Sequence, residues 1–177
     1  MGHSVLVVPV PALEPYVRSR WQHYEPDWVS TDPAFTHAHI TALGPFHPDP
    51  DAAMLADLAR VAAATPAFTA TLAEVDVFPD GLIHLRPDPL EPFMALTARL
   101  HAQFPQFPPY GGAFGDVVPH LTLDSATTGV TVAQVRSDLA DLVPVAVRAD
   151  RLELHWYGEG ECRVLAGWPL ARLSAPA

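Results

Sequence analysis

AHITAL at Ala38–Leu43 and PHLTLD at Pro119–Asp124 set the reading of this chain. Each contains His-x-Thr-x with small or aliphatic x: His39-Ile40-Thr41-Ala42 and His120-Leu121-Thr122-Leu123. In an extended strand residues i and i+2 share a face. His39 and Thr41 therefore point one way while Ile40 and Ala42 face a core, and His120/Thr122 with Leu121/Leu123 repeat the pattern. Each strand presents an imidazole beside a hydroxyl. Chance alone gives roughly 0.6 His-x-Thr tripeptides in a chain of this composition, so two copies mean little by count. Their context carries the signal, because both lie in alternating strands and both are followed by a loop and an amphipathic helix.

Working outward, the pattern predicts a strand at Ser4–Val10, a helix at Ala12–His23 and a strand at Thr36–Leu43. Ala52–Ala64 is a helix with Met54, Leu55, Leu58, Val61 and Ala62 on one face and Asp51 near its N-terminus. Phe68–Phe78 alternates as a strand and turns through Pro79–Gly81 into Leu82–Arg86. A helix at Leu90–Phe104, a Pro/Gly-rich loop and a strand at Val117–Asp124 follow. The remainder reads as a helix at Val132–Val143 and strands at Val145–Tyr157 and Cys162–Leu170. The order strand, helix, strand, helix, strand thus occurs twice at an offset of about 80 residues. One domain over 1–177, with half-repeats of about 1–79 and 80–177, is the expectation.

Composition excludes several classes. The chain has 177 residues and 49% hydrophobic side chains, too many for a disordered segment. No apolar run approaches the roughly 20 residues of a membrane helix, and Pro9 and Pro11 break the leading stretch, so neither a membrane span nor a secretion signal is expected. The lone Cys162 excludes an internal disulfide framework and supports a cytoplasmic address. Twenty acidic residues face ten arginines and no lysine, for a formal net charge of −10. A nucleic-acid tracker carries a basic stripe to neutralise phosphates, and this chain has none. An anionic substrate must be small and held by a few placed groups.

HITALGPF (His39–Phe46) and VPHLTLD (Val118–Asp124) resemble the paired signature of the two-histidine phosphoesterase superfamily, in particular its 2'-5' RNA ligase-like branch. The half-repeat layout extends the resemblance over most of the chain. It implies an α+β fold, bilobal and pseudo-symmetric, with two antiparallel sheets lining a central cleft and helices outside. It also implies cofactor-free, metal-independent opening of a 2',3'-cyclic phosphate on a nucleotide or RNA end, typically leaving a 2'-phosphate, or work on a 2'-5' linkage. His39, Thr41, His120 and Thr122 are then the catalytic residues. A cyclic phosphodiester opens by in-line displacement, and two imidazoles on opposite sides of phosphorus suit it, because histidine can be neutral or protonated near pH 7. The threonine hydroxyls can donate to the non-bridging oxygens. His120 as base and His39 as acid is one assignment; the pseudo-symmetry leaves the reverse open.

Phe46 and Tyr110, beside the two motifs, are candidates to stack on a nucleobase, with core packing as the alternative. Arg86, closing IHLR (Ile83–Arg86), is a candidate phosphate contact or a surface ion pair. His37 shares a strand face with His39, but no carboxylate or third histidine stands at a supporting spacing, so no metal site is expected. Trp21, Trp28, Trp156 and Trp168 read as core or lobe-interface residues. The expected partner is a small nucleotide or RNA terminus bearing a cyclic phosphate, met by a monomer without a long nucleic-acid tract or a membrane. Three rivals remain: 2'-5' RNA ligation, a nucleotide-binding protein that keeps the fold without turnover, and a histidine-ligated metalloenzyme, which would lose activity in EDTA.

Overall fold

A computed structural model describes residues 2–113 and 117–172. The last residues of the Pro/Gly-rich loop, 114–115, lie outside the described set. Eight strands form one antiparallel sheet: β1 (His3–Pro9), β2 (His39–Phe46), β3 (Phe68–Val77), β4 (Leu82–Asp88), β5 (Leu121–Ser125), β6 (Val145–Ala149), β7 (Arg151–Tyr157) and β8 (Arg163–Pro169). Their spatial order is β6-β3-β4-β5-β2-β1-β7-β8. Two four-stranded halves meet where Ile40 of β2 pairs with Leu121 of β5. The two expected sheets are thus the halves of one curled ladder. β3, from the first half of the chain, lies in the half-sheet with β4, β5 and β6.

The expected strand Val145–Tyr157 divides at Asp150 into β6 and β7. Those two strands stand six positions apart in the sheet order, which in a flat sheet is about 29 Å at ~4.8 Å per strand. One linking residue cannot span that distance. The sheet must curl until its ends approach, and the seam is visible: Leu170 N donates to Asp150 O, and Ala67 N and Ala171 N donate to Ala171 O and Thr65 O. The break coincides with a change of phase: apolar residues fall at Val145, Val147 and Ala149, and after Asp150 at Leu152 and Leu154.

Helices α1 (Glu14–Tyr24), α2 (Ala52–Ala63), α3 (Glu91–Gln103) and α4 (Val132–Asp138) supply the covering layer. Asp51 caps α2, accepting from Met54 N at 2.8 Å, and Thr131 caps α4 by accepting from Gln134 N at 3.1 Å. α4 is shorter than the expected Val132–Val143, ending in turns after Asp138. Val17, Leu58, Phe93, Leu96, Leu100 and Val135 bring one helix face each to the core that contains Ile40 and Leu121. Full burial of such a side chain contributes about 1.5–3 kcal/mol. The helices cover the face to which Ile40 and Leu121 point. The opposite face is left for the site. Among the described residues no helix is long and apolar enough to cross a membrane.

Candidate active site

Ile40 and Leu121, both fully buried, are antiparallel partners. That register sets His39 across from Thr122 and Thr41 across from His120. Cross-strand neighbours have Cβ atoms roughly 4.5–5.5 Å apart. Since the two aliphatic side chains enter the core, pleating sends both histidines and both threonines to the other face. The half-repeats therefore converge on one patch of alternating imidazoles and hydroxyls. The pseudo-twofold axis runs between the paired aliphatic residues.

Each imidazole is held by the same device. His39 Nδ1 lies 2.7 Å from His37 O, and His120 Nδ1 lies 2.7 Å from Val118 O. A carbonyl only accepts, so Nδ1 carries the hydrogen in both rings and a lone pair or a second proton falls to Nε2. Tyr157 Oη, 3.3 Å from His39 Nδ1, is a second contact on the same edge. The carbonyl of His37 is itself fixed. His37 Nδ1–H donates to Glu14 Oε1 at 2.7 Å, Ser30 N donates to His37 Nε2 at 3.1 Å, and Ala38 N donates to Glu14 Oε2 at 2.9 Å. With both ring nitrogens engaged, His37 is an anchor behind His39. Among the described residues no group of three or more His, Cys, Asp or Glu is arranged to hold a metal.

The surroundings of the two rings differ. Residues Phe35 and Trp28 close over the outer face of β1 and β7, where Val5, Val7 and Tyr157 form a second small core. Under this cover His39 is pushed down to about 3, first by burial and then by the neighbouring imidazole of His155. His155 is fully buried and bonded to Glu153 Oε2 at 2.7 Å. His120 is also lowered by burial, opposed by its bond to Val118 O. Its neighbours are aromatic: Tyr110 stacked at 6.2 Å, Phe78 at 5.0 Å and His84 at 5.5 Å. Both catalytic candidates are neutral in the unliganded protein at pH 7.

The other expected site residues separate. Tyr110 reaches the cleft, stacks on His120 and hydrogen-bonds with the Thr41 side chain. Its φ of 51° is left-handed, a conformation costing a non-glycine residue about 1 kcal/mol, and it aims the ring at the motif strands. Phe46 does not reach the cleft. It is 3% exposed and wedged between Phe104 at 5.2 Å and Phe107 at 4.8 Å, so it is a packing residue. Strand alternation decides this, since Phe46 shares the core side of β2. Arg86 does not line the cleft either; it stands on the exposed part of β4, 4.0 Å from Asp76. Trp21 and Trp28, expected as core or interface, both line the cleft wall. Glu14, His155 and Tyr157 carried no motif, because their relation to His39 exists only across strands and helices.

The cleft holds about 900 Å³ and is lined mainly by apolar and aromatic groups. Thr122, Thr41 and His39 lie at its floor, α1 forms one wall, and Tyr110 closes over the motif strands. Such a volume suits a small molecule. Asp124 of β5, also in the lining, is buried and paired with Arg20 of α1, which ties that wall to the motif strand.

Comparison with known proteins bears on the family and the fold. The sequence profile described as "2'-5' RNA ligase superfamily" matches residues 9–161. Among solved structures, Escherichia coli LigT complexed with 3'-AMP is 20% identical, with a TM-score of 0.56 over 96% of this chain and 98% of that one. LigT complexed with NADP+ is also 20% identical, with a TM-score of 0.55 over 95% of this chain and 97% of LigT. TT0787 of Thermus thermophilus is 16% identical, with a TM-score of 0.55 over 95% of this chain and 97% of that one. At these identities the likeness is one of fold. No protein of curated function matches the sequence.

Proposed function

The chain belongs to the 2'-5' RNA ligase superfamily, and from that premise we propose that it is a metal-independent phosphodiesterase opening a 2',3'-cyclic phosphate on a nucleotide or RNA end. The observation that carries this reading is the matched pair of Nδ1–H to carbonyl bonds, which leaves Nε2 of both His39 and His120 available. Two bases of one orientation, in adjacent antiparallel strands with a hydroxyl across from each, fit the two ends of an in-line displacement. The LigT structures with 3'-AMP and NADP+ support a nucleotide-sized ligand for this fold.

In the proposed reaction, a water oxygen forms a bond to phosphorus while the bond to one ribose oxygen breaks. One Nε2 accepts the water proton and the other Nε2–H gives its proton to the departing oxygen. Each transfer contributes roughly 10²–10⁴ in rate. Burial holds His39 further from protonation, which favours it as the neutral base. His120 then takes the acid role, its charged form stabilised as the anionic phosphate arrives. This reverses the first assignment from sequence. Thr41 and Thr122 donate to the non-bridging oxygens, and Tyr110 braces Thr41 and His120. The expected product carries a 2'-phosphate. A cytoplasmic monomer remains our reading of its setting.

The test is hydrolysis of nucleoside 2',3'-cyclic phosphates and short RNAs ending in cyclic phosphate, in EDTA, by wild type and His120→Ala. Turnover by wild type that survives the chelator and is lost in the variant is the expected result. Near wild-type turnover by His120→Ala would sink the mechanism. Ligation of large RNAs ranks below hydrolysis, because among the described residues no arginine lines the cleft.

A further inference from the structure

We infer that the seam between the two ends of the sheet forms a second binding site, which takes the phosphate group of a nucleotide away from the catalytic cleft. The site is independent of the phosphodiesterase reading. A groove of about 980 Å³ opens where β6 and β3 meet β7 and β8, and among the described residues it shares no lining with the cleft. Arg148, Arg151 and Arg172, three of the chain's ten arginines, line it. Three positive charges there face two carboxylates, Asp150 and Glu153, whereas the chain as a whole stands at −10. A groove of excess positive charge on so acidic a protein draws anions to itself.

The Arg151 guanidinium is built into this groove. β6 and β7 are joined through Asp150 alone, so Arg148 and Arg151 stand on either side of a one-residue corner. Each approaches its carboxylate through Nε: Arg148 Nε lies 3.0 Å from Asp150 Oδ2, and Arg151 Nε lies 2.8 Å from Glu153 Oε1. Glu153 is itself fixed, because its side chain is only 5% exposed and its Oε2 accepts from His155 Nε2–H at 2.7 Å. A guanidinium has five N–H donors, and pairing through Nε leaves both terminal nitrogens for a ligand. That fork matches the oxygens of a phosphate. Gly167 of β8, opposite Glu153, makes room for it, since a Cβ there would lie 3.0 Å from Arg151 Nη2. Thr69 of β3, paired with Arg148, adds a hydroxyl donor. Beside these polar groups Trp168 and Phe68 line the groove, each partly buried against the core. Aromatic faces next to guanidinium forks fit a phosphate that carries a base, because every base has a π-face to stack.

The experiment titrates the intact ¹⁵N-labelled protein with inorganic phosphate and with adenosine 5'-monophosphate. Binding is read from the indole N–H signal of Trp168, which Trp168→Phe identifies by its loss. Both ligands should move that signal, and the nucleotide should bind about tenfold or more tightly than phosphate, the worth of one stacked ring. Arg151→Gln should weaken both ligands about tenfold or more at this site. Gly167→Val should do the same while keeping every arginine, because its side chain takes the place of the guanidinium. Arg163→Gln removes an arginine of β8 that does not line the groove, and binding should survive it. A Trp168 signal that neither ligand moves overturns the inference. So does equal affinity for phosphate and nucleotide, undiminished binding by Arg151→Gln, or an equal loss in Arg163→Gln.

Discussion

Ile40 of β2 lies opposite Leu121 of β5, and this backbone pair both joins the halves of the sheet and sets the register of the two His-x-Thr motifs. Each side chain is fully buried on the helix-covered face. Shifting either strand by one residue would carry its histidine into the core and its aliphatic residue into the cleft. Truncation here should therefore act on stability and on catalysis together. Leu121→Ala should cost about 2–5 kcal/mol in urea denaturation, with a drop in kcat for any cyclic-phosphate substrate. Full stability would mean that this joint is not what holds the register.

Removing either imidazole should reduce kcat/KM for a nucleoside 2',3'-cyclic phosphate by roughly 10²–10⁴. The loss should come with little change in Tm, since each ring contributes one bond to a backbone carbonyl and faces the cleft side of its strand. Steady-state kinetics of His39→Ala and His120→Ala beside thermal unfolding checks both halves of the statement.

Thr41→Val and Thr122→Val keep the side-chain shape and delete the hydroxyl. Each should lower kcat/KM by about 1.5–3 kcal/mol in transition-state stabilisation, the worth of one hydrogen bond to a charged group. An unchanged kcat/KM in both variants would take the threonines out of the site.

Acid should unfold this protein earlier than its carboxylates alone require. His39 sits near 3 in the folded chain against 6.5 when exposed, so below pH 6.5 the unfolded state binds more protons. Its contribution is complete above pH 6.5 and drains away as pH falls toward 3, with a slope of up to about 1.4 kcal/mol per pH unit. His84 and His120, both lowered chiefly by burial, push in the same direction. Urea midpoints at pH 7, 5.5 and 4.5 should fall steadily, and His39→Asn should flatten the trend.

Glu14 accepts from His37 Nδ1–H and Ala38 N, which secures the carbonyl that orients His39. Glu14→Ala leaves two donors without partners, at about 1–3 kcal/mol each where they are buried. It should lower kcat more than it raises KM, and Glu14→Gln should recover part of the loss. A variant that loses stability but keeps its kcat would confine Glu14 to a structural role.

The motif strands, the helices and the face that carries the histidines are legible in the sequence because each depends on spacing along the chain. Period-two alternation puts Ile40 and Leu121 inside and His39, Thr41, His120 and Thr122 outside, and the register bears that alternation out. Asp51 stands one residue ahead of a strong helical pattern, and it is the cap. Phe46 reads as a stacking candidate from its place beside the motif, although the same alternation assigns it to the core side. The division of Val145–Tyr157 at Asp150 is legible as a shift of the apolar phase from Val145, Val147 and Ala149 to Leu152 and Leu154, which a single continuous strand does not allow.

By itself the sequence determined the shared face of His39, Thr41, His120 and Thr122 and a net charge of −10. Tertiary structure alone decided that His39 would be half-buried and held toward its neutral form while His120 sits against aromatic rings. It also decided that Trp21 and Trp28 would line a cleft. The physical reason is that alternation is a property of one strand, whereas burial, the carbonyl behind each imidazole and the cleft walls come from segments far apart in the chain. Folding two near-equivalent halves around one pair of strands made the floor symmetric. Covering one half with Phe35 and Trp28, and walling the cleft with α1, made the site directional.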